Sequence, residues 1–321
     1  MSCLTASVLI PSLGRADKLR ACLAALSAQT RGPDEVVVVW QQEDAATRDA
    51  AEQARGELAC PLKVVHIADA GVVPAENAAL DAASGDIVFL IDDDAIAPRD
   101  WLERHLKHYA DARVGAVGGP ARNHWPDGSH FPVRNREPSG KITWLGRFIG
   151  NMYDQPDAWR ARMPVAADHL VGYNMSLRRR AFGRFDPHLR PYWQFFESDV
   201  CLQAASRGYR IIFDYGNVVA HHPANTAYAG GRDGNLNIKI YNPAFNACLI
   251  LAKHSVRAQL PWRLLYRLLV GSVEAPGLCA YPIAVRRYGH PLRELGILGR
   301  TWRASLAGWR QGGICRLECR A

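Results

Sequence analysis

Three consecutive carboxylates, Asp92, Asp93 and Asp94, follow directly on the apolar run Ile87-Val88-Phe89-Leu90-Ile91. Adjacent like charges repel, so the triplet calls for bulk water or a cation to offset it. Magnesium and manganese prefer carboxylate oxygens and keep coordination positions open for substrate phosphates. A solvated acidic loop is the plainer alternative for a triplet taken alone. Other polar residues follow the remaining strand-like runs: Pro11, Ser12 and Arg15 after the first, Gln41, Glu43 and Asp44 after the second, and Asp69 after the third. Ser12-Leu13-Gly14-Arg15 does not fit the GxGxxG fingerprint, and the chain holds no Walker A sequence. Any phosphate binding therefore rests on acids and a metal rather than on a glycine cradle.

The elements that must position these residues alternate. Ala6 to Ile10 reads as a strand, and Lys18 to Gln29 as a helix with Leu19, Cys22, Leu23 and Leu26 at helical spacing. Strands follow at Glu35 to Trp40, Leu62 to Ile67, Ile87 to Ile91 and Val114 to Gly118. Helices separate them at Asp44 to Arg55, Pro74 to Ala83 and Trp101 to Tyr109. This order predicts an α/β fold with a mostly parallel sheet covered on both faces. Ligands of such sheets lie beyond the carboxyl ends of the strands, where the polar residues stand. Ala121 to Ala167 is irregular, with a hairpin expected from Lys141 to Trp144 and Arg147 to Ile149. Glu197 to Arg207 reads as a helix, Arg210 to Tyr215 as a strand, and Ile238 to Lys253 as a further helix.

The chain of 321 residues is 48% hydrophobic, enough for one large domain with additions or for two. Its net charge of +8 is unevenly placed: from Lys253 onward twelve Lys or Arg stand against three Glu. The remainder is close to neutral, which argues against a broad nucleic-acid groove. Eight scattered cysteines without a CxxC pair suit a reducing cytoplasm, and Met1 to Ser7 is too short and polar for a signal peptide.

Five segments in order resemble glycosyltransferase family 2, a GT-A fold family of mostly inverting, nucleotide-sugar-dependent enzymes. Val8-Leu9-Ile10-Pro11-Ser12 with Arg15 resembles the first strand and turn, and Glu35-Val36-Val37-Val38-Val39 the second strand. Asn77-Ala78-Ala79 followed by Gly85 to Asp94 resembles the central signature, and Gly172-Tyr173-Asn174-Met175-Ser176-Leu177-Arg178-Arg179 the acceptor-side segment. Phe196-Glu197-Ser198-Asp199, then Gly208-Tyr209-Arg210-Ile211, resembles the segment that holds the catalytic acid. The resemblance covers residues 5 to 255. It implies a Rossmann-like sheet in a GT-A domain over 1–252, with a nucleotide-sugar half at 1–120 and an acceptor and catalytic half at 121–252. A basic amphipathic helical extension is expected at 253–321. Two departures stand out. Trp40-Gln41-Gln42-Glu43-Asp44 replaces an acid immediately after the second strand, so Glu43 or Asp44 takes the base or Trp40 stacks on it. Glu197 occupies the position of the usual catalytic Asp, with Phe196 before it.

The resemblance implies the roles as follows. Asp94 and a histidine after Val218-Val219-Ala220, His221 in preference to His222, hold Mn2+ or Mg2+. Asp92 reaches the ribose or an ordered water, and Asp93 the sugar hydroxyls or the loop itself. Asp69 contacts the base or ribose. Pro11, Ser12, Arg15 and Arg232 complete the nucleotide-sugar side, with Arg15 and Arg232 toward the diphosphate and residues 223 to 237 as a lid. Glu197 is the base that deprotonates the acceptor, and Asp199 supports it. Trp144, Asn174, Tyr192 and Trp193 line the acceptor side. The donor is a nucleoside diphosphate sugar, UDP first, and the acceptor a glycan or lipid-linked saccharide.

The tail beyond Pro261 interleaves aromatic and aliphatic residues with arginine, as in Trp262-Arg263-Leu264-Leu265-Tyr266-Arg267. One reading lays it on an anionic membrane surface, on the cytoplasmic face, with Arg263 and Arg267 near the headgroups. The other packs it on the core or on a second subunit of a homo-oligomer. Glu274, Pro276 and Pro282 interrupt the apolar stretch from Leu268 to Val285 and argue against a spanning helix. Two other functions stay in view: a metal-dependent nucleotidyltransferase, which lacks its glycine-rich basic loop here, and a sugar-binding or scaffold protein with an altered transferase site.

Overall fold

The computed structural model describes residues 4–125, 128, 140–150, 161–191, 195–223, 237–272 and 275–318. The chain forms two compact units. The first comprises Met1–Lys141, Ile149–Phe185 and Val200–Tyr228, and the second Ile142–Phe148, Asp186–Asp199 and Ala229–Ala321.

In chain order the first elements are β1 (Ala6–Ser12), α1 (Ala16–Ser27), β2 (Glu35–Gln41), α2 (Ala45–Gln53), β3 (Leu62–Ile67), α3 (Val72–Ala82) and β4 (Ile87–Leu90). They are followed by β5 (Ala95–Ile96), α4 (Trp101–His108), β6 (Val114–Gly118), β7 (Ala121–Asn123), the hairpin β8 (Lys141–Ile142) and β9 (Phe148–Ile149), β10 (Val165–Ala167) and β11 (Met175–Arg178). Next come α5 (Phe196–Ser206), β12 (Arg210–Phe213) and β13 (Val219–His221), and last the helices α6 (Asn242–His254), α7 (Leu260–Leu269), α8 (Tyr281–Tyr288) and α9 (Pro291–Glu318).

The first unit is built on an eight-stranded sheet of order β10-β12-β6-β11-β4-β1-β2-β3. The β3-β2-β1-β4 half is parallel throughout. Parallel neighbours need crossovers, and α1, α2 and α3 supply them. The valines at 36 to 39 are fully buried, as a strand covered on both faces requires. Leu19, Cys22, Leu23 and Leu26 form the buried stripe of α1. Full burial of each such aliphatic side chain contributes roughly 1.5–3 kcal/mol. The other half mixes directions: β11 runs antiparallel to both β4 and β6, β12 is parallel to β6, and β10 is antiparallel to β12. The Gly172 to Arg179 stretch thus supplies a central strand, which its short mixed pattern Met-Ser-Leu-Arg does not advertise. A three-stranded sheet, β5-β13-β7, adjoins the ends of β4 and β6 in the chain.

The register places the carboxyl ends together. Ser12 lies opposite Trp40, and Trp40 opposite His66. At the other edge Glu35 is buried and accepts hydrogen bonds from Ser7 Oγ at 2.5 Å, from the Ser84 backbone at 2.5 Å and from Ser84 Oγ at 2.9 Å, with Lys63 Nζ at 2.6 Å. Burial alone would raise this carboxyl; the hydrogen bonds from Lys63, Ser7 and Ser84 overcome it and hold it at about 2.

In the second unit α6 is buried on nearly every face and lies along α9. Seven buried positions of α9, Glu294, Leu298, Thr301, Ser305, Gly308, Gly312 and Cys315, recur at alternating steps of four and three, with Ala304 buried beside Ser305. A Cβ at Gly308 would run into the Phe245 carbonyl oxygen, and one at Gly312 into that of Leu249. The two backbones approach this closely because both positions carry no side chain. Helix α7 turns the expected arrangement round. Arg263 and Arg267 are its buried residues, with Arg263 donating to the Trp144 carbonyl at 2.9 Å and Ser255 Oγ at 2.7 Å, and Arg267 to the Gly146 carbonyl at 3.2 Å. These guanidiniums therefore serve the hairpin carbonyls, and the expectation that they reach headgroups is corrected: an unpaired carbonyl inside the fold costs more than a solvated arginine gains outside it. Among the described residues no helix is long and apolar enough to cross a membrane.

Candidate donor site

The acidic triplet occupies the loop after β4, at the carboxyl edge of the sheet, and its three members have different environments. Asp93 is fully buried. It accepts from Ser12 Oγ at 2.6 Å and pairs with Arg15 at 2.8 Å. Burial pushes its carboxyl up, against the pull of Arg15. Asp94 is also buried and divides its oxygens: Oδ2 meets Arg15 Nη1 at 2.9 Å, and Oδ1 faces His221 Nε2 at 3.1 Å. Asp92 is 42% exposed, with Oδ2 at 3.8 Å from the same nitrogen. Arg15 thus acts as a brace that lets two acids, Asp93 and Asp94, sit side by side under cover.

His221 ends β13. Its Nδ1 lies 2.7 Å from Asn123 Oδ1, at the end of β7, and its ring stacks on Tyr173 with centroids 5.1 Å apart. An amide oxygen can only accept, so Nδ1 donates to Asn123, and this contact turns Nε2 toward the two aspartates. The next residue turns away. His222 donates its backbone N–H to the Asp94 carbonyl at 2.8 Å, while its ring stacks on His124 at 4.9 Å. Of the two histidines, His221 is the one whose ring faces Asp92 and Asp94. One ligand atom from each of Asp92, Asp94 and His221 lies within 4.8 Å of the others. Two carboxylate oxygens and an imidazole nitrogen, one side open through Asp92, suit a divalent ion such as Mn2+ or Mg2+ that also takes phosphate oxygens.

The ends of β1 to β3 form the flank. Gln41 ties them: its Nε2 donates to the Ser12 carbonyl at 3.4 Å and its Oε1 accepts from the Gly71 N–H at 2.8 Å, at the start of α3. Pro11 is buried at the end of β1. Trp40 stacks on His66 with centroids 3.9 Å apart, and the Arg48 guanidinium lies 5.8 Å from the Trp40 ring. Asp44 caps α2 through Thr47 and accepts from the Gly14 N–H at 2.5 Å, so both of its oxygens are engaged. Glu43 and Asp69 are exposed.

Asn174, expected on the acceptor side, spends its side chain inside the fold. Its Oδ1 accepts from Trp101 Nε1 at 2.8 Å and His105 Nε2 at 3.2 Å, and its Nδ2 donates to the carbonyls of Pro120 and Asn217 at 2.9 and 2.7 Å. No capacity is left for an acceptor sugar, so Asn174 is a packing hub and not a binding group. Trp144 is exposed at the tip of the β8–β9 hairpin. Tyr192, Trp193, Arg232 and most of the expected lid lie outside the described residues.

In the second unit Glu197 occupies the first turn of α5 and is buried. Asp199, two residues on, is fully enclosed. Lys253 Nζ lies 2.9 Å from its Oδ1 and His254 Nε2 2.7 Å, and Lys253 also reaches Asp186 at 2.7 Å. Burial would raise the Asp199 carboxyl, and the His254 and Lys253 contacts reverse this and lower it. Asp199 is therefore held as a carboxylate that anchors the start of α5 to the end of α6. Lys253, His254 and Asn123 stand in no motif that sequence reading could have used, while Gln41 and Tyr173 lie in segments the sequence marks without showing which partners they meet.

The sequence model of the family described as Glycosyl transferase family 2 matches residues 7–183. The succinoglycan biosynthesis protein ExoM of Rhizobium meliloti (strain 1021) is 32% identical over 110 residues, 34% of this chain and 35% of that protein. The glycosyltransferase AglE of Haloferax volcanii is 28% identical over 124 residues, 38% of this chain and 41% of that protein. The chain thus spans well under half the length of these relatives. Among solved structures, the mannosyltransferase PcManGT of Pyrobaculum calidifontis in complex with GDP-Man and Mn2+ superposes with a TM-score of 0.55 at 20% identity, covering 99% of this chain and 88% of that one. Residues 1–349 of S. aureus TarS in complex with UDP-GlcNAc superpose with a TM-score of 0.56 at 14% identity, covering 98% and 92%. These two likenesses, on a mixed sheet flanked by helices and followed by a helical extension, are likenesses of the GT-A fold.

Proposed function

Because the chain belongs to glycosyl transferase family 2, we propose that it transfers a sugar from a nucleoside diphosphate sugar, UDP-linked in the first instance, to a hydroxyl of a glycan or lipid-linked saccharide, with inversion at the anomeric carbon. The observation that carries this reading is the convergence of Asp92, Asp94 and His221 at the carboxyl edge of the sheet. These residues would hold Mn2+ or Mg2+, which when bound supplies positive charge against the diphosphate leaving group. Arg15 and Ser12 keep the acidic loop in the conformation that presents Asp92 and Asp94. Trp40, His66, Glu43 and Asp69 stand on the flank where the base and ribose would lie. Glu197 takes the proton of the acceptor hydroxyl as its oxygen bonds to the anomeric carbon. The bond from that carbon to the phosphate oxygen breaks, and its electron pair leaves with the nucleoside diphosphate. One displacement with no covalent sugar–enzyme stage inverts the configuration.

The test is a thermal-shift and product assay with UDP-, GDP- and dTDP-sugars, each with and without Mn2+, on the full chain and on its Asp94→Asn and Glu197→Gln variants. The reading expects a manganese-dependent shift with one nucleotide class, lost in Asp94→Asn and kept in Glu197→Gln, with transfer lost in both. No shift with any nucleotide sinks the donor site. Binding without transfer to any saccharide acceptor favours a nucleotide-sugar-binding protein with an altered site.

A further inference from the structure

The large apolar side chains that reach solvent are unevenly distributed. Among the described residues Met163 is the only one in the first unit, and the rest belong to the second. Two helices there carry eight of them in stripes. On α7 the exposed residues Trp262, Leu265 and Leu269 follow the i, i+3, i+7 spacing of a single face, while the arginines of the same helix are turned inward. On the 28-residue α9, Leu292, Leu295, Leu306, Ile314 and Leu317 share the face opposite its buried heptad positions, together with Arg303 and Arg310. Helical geometry places them in one band about 38 Å long. A face of this kind in water loses the favourable burial of every leucine. Trp302, on the flank of α9, donates to the Leu268 carbonyl at 2.9 Å and ties the two helices.

The charge around these stripes has one sign. Arg286, Arg287, Arg293, Arg300, Arg303 and Arg310 are exposed, whereas beyond residue 255 the only exposed carboxylate side chain among the described residues is Glu318. This asymmetry decides between occupants. A second copy seated face to face would set arginine against arginine, with Glu318 at the end of α9 as the one exposed described acid to set against six arginines. An anionic lipid surface receives leucines into its acyl boundary and arginines at its headgroups at once. We propose that the outward faces of α9 and α7 form an in-plane docking surface for an anionic lipid bilayer. The helices lie on the membrane rather than cross it, and the binding does not depend on the transferase reading.

Vesicle co-sedimentation of the full chain tests this, with phosphatidylcholine vesicles against vesicles that also contain phosphatidylglycerol. Circular dichroism and thermal unfolding check the variants. The expected result is binding to the anionic vesicles at least about tenfold tighter than to neutral ones, falling as salt rises. R303Q/R310Q, polar for polar at exposed positions, is expected to weaken it about 30-fold. L306E is expected to abolish it with helical content unchanged, and should L306E unfold, the double variant decides. Equal binding to both vesicle types, binding to neither, or wild-type binding by R303Q/R310Q overturns the proposal. So does a concentration-dependent dimer in sedimentation equilibrium that L306E dissolves while vesicle binding persists, since that outcome assigns the face to a second copy.

Discussion

At the scale of residues, the proposed donor site depends on groups that hold the proposed metal ligands as much as on those ligands. Asn123 fixes the His221 ring with its Nε2 toward Asp92 and Asp94. Replacing Asn123 with Ala removes that constraint without removing a ligand, and metal-dependent nucleotide binding is expected to weaken about 10–100-fold, as for other partners of metal-bound histidines. Isothermal titration of nucleoside diphosphate with Mn2+ measures it, with His221→Ala as the more severe reference; an Asn123→Ala protein that binds as the wild type would show the hydrogen bond to be incidental. Glu197→Gln keeps the size of the side chain and removes its basicity. It is expected to lower kcat about 10²–10⁴-fold with donor binding intact, measured by steady-state transfer. Asp92 to Asp94 could be read as a metal loop in the sequence because adjacent acids after an apolar run are electrostatically costly. The division of labour among them could not, since it depends on which carboxylates Arg15 and His221 meet.

At the scale of elements, glycine separates two kinds of position on α9. Gly308 and Gly312 face the backbone carbonyls of α6, and any Cβ there collides with them. Gly296 and Gly299 have nothing within 4 Å. Alanine at 308 or 312 is expected to destabilise by about 1–3 kcal/mol through overpacking. Alanine at 296 or 299 is expected to stabilise by about 0.5–1 kcal/mol, because glycine is the poorer helix former. Urea unfolding of the four single variants gives the comparison, and a uniform sign across them would refute the packing account. The parallel half of the sheet was legible because its strands are continuous apolar runs with amphipathic helices between them. β10 and β11 were not, because a strand of three or four mixed residues has no period of its own and is held by its neighbours.

At the scale of the whole molecule, stability is tied to acid pH through buried groups. His105 and His169 are both pushed down to about 4 by burial. The His105 ring is enclosed by Ser176, Asn174, Phe89 and Trp101. A histidine with its folded pKa below the unfolded value of about 6.5 binds its proton more readily when unfolded. Stability is therefore full above that value and falls as pH drops toward 4, by on the order of 2–3 kcal/mol for each ring. Glu35 has the depressed pKa of a hydrogen-bonded carboxylate, so its contribution is present above about 4.3 and is lost as pH falls toward 2. Urea midpoints measured from pH 7 down to pH 4 are expected to fall in the wild type and to fall less steeply in a His105→Gln variant. A midpoint that stays level over that range would mean that the rings titrate without cost.

The fold class, the parallel half-sheet, the acidic loop and the basic tail follow from local pattern: runs of apolar residues, helical spacing and the count of charges within a segment. These are properties that neighbours along the chain share, so the order of residues carries them. Tertiary structure alone decided the rest. It brought Asn123 and Tyr173 to the His221 ring, closed Lys253 and His254 on Asp199, used up the amide of Asn174, and turned the arginines of α7 inward so that Trp262, Leu265 and Leu269 face out. Each of these depends on groups distant in sequence meeting at hydrogen-bonding range, where burial and partner, not residue type, settle what a side chain does.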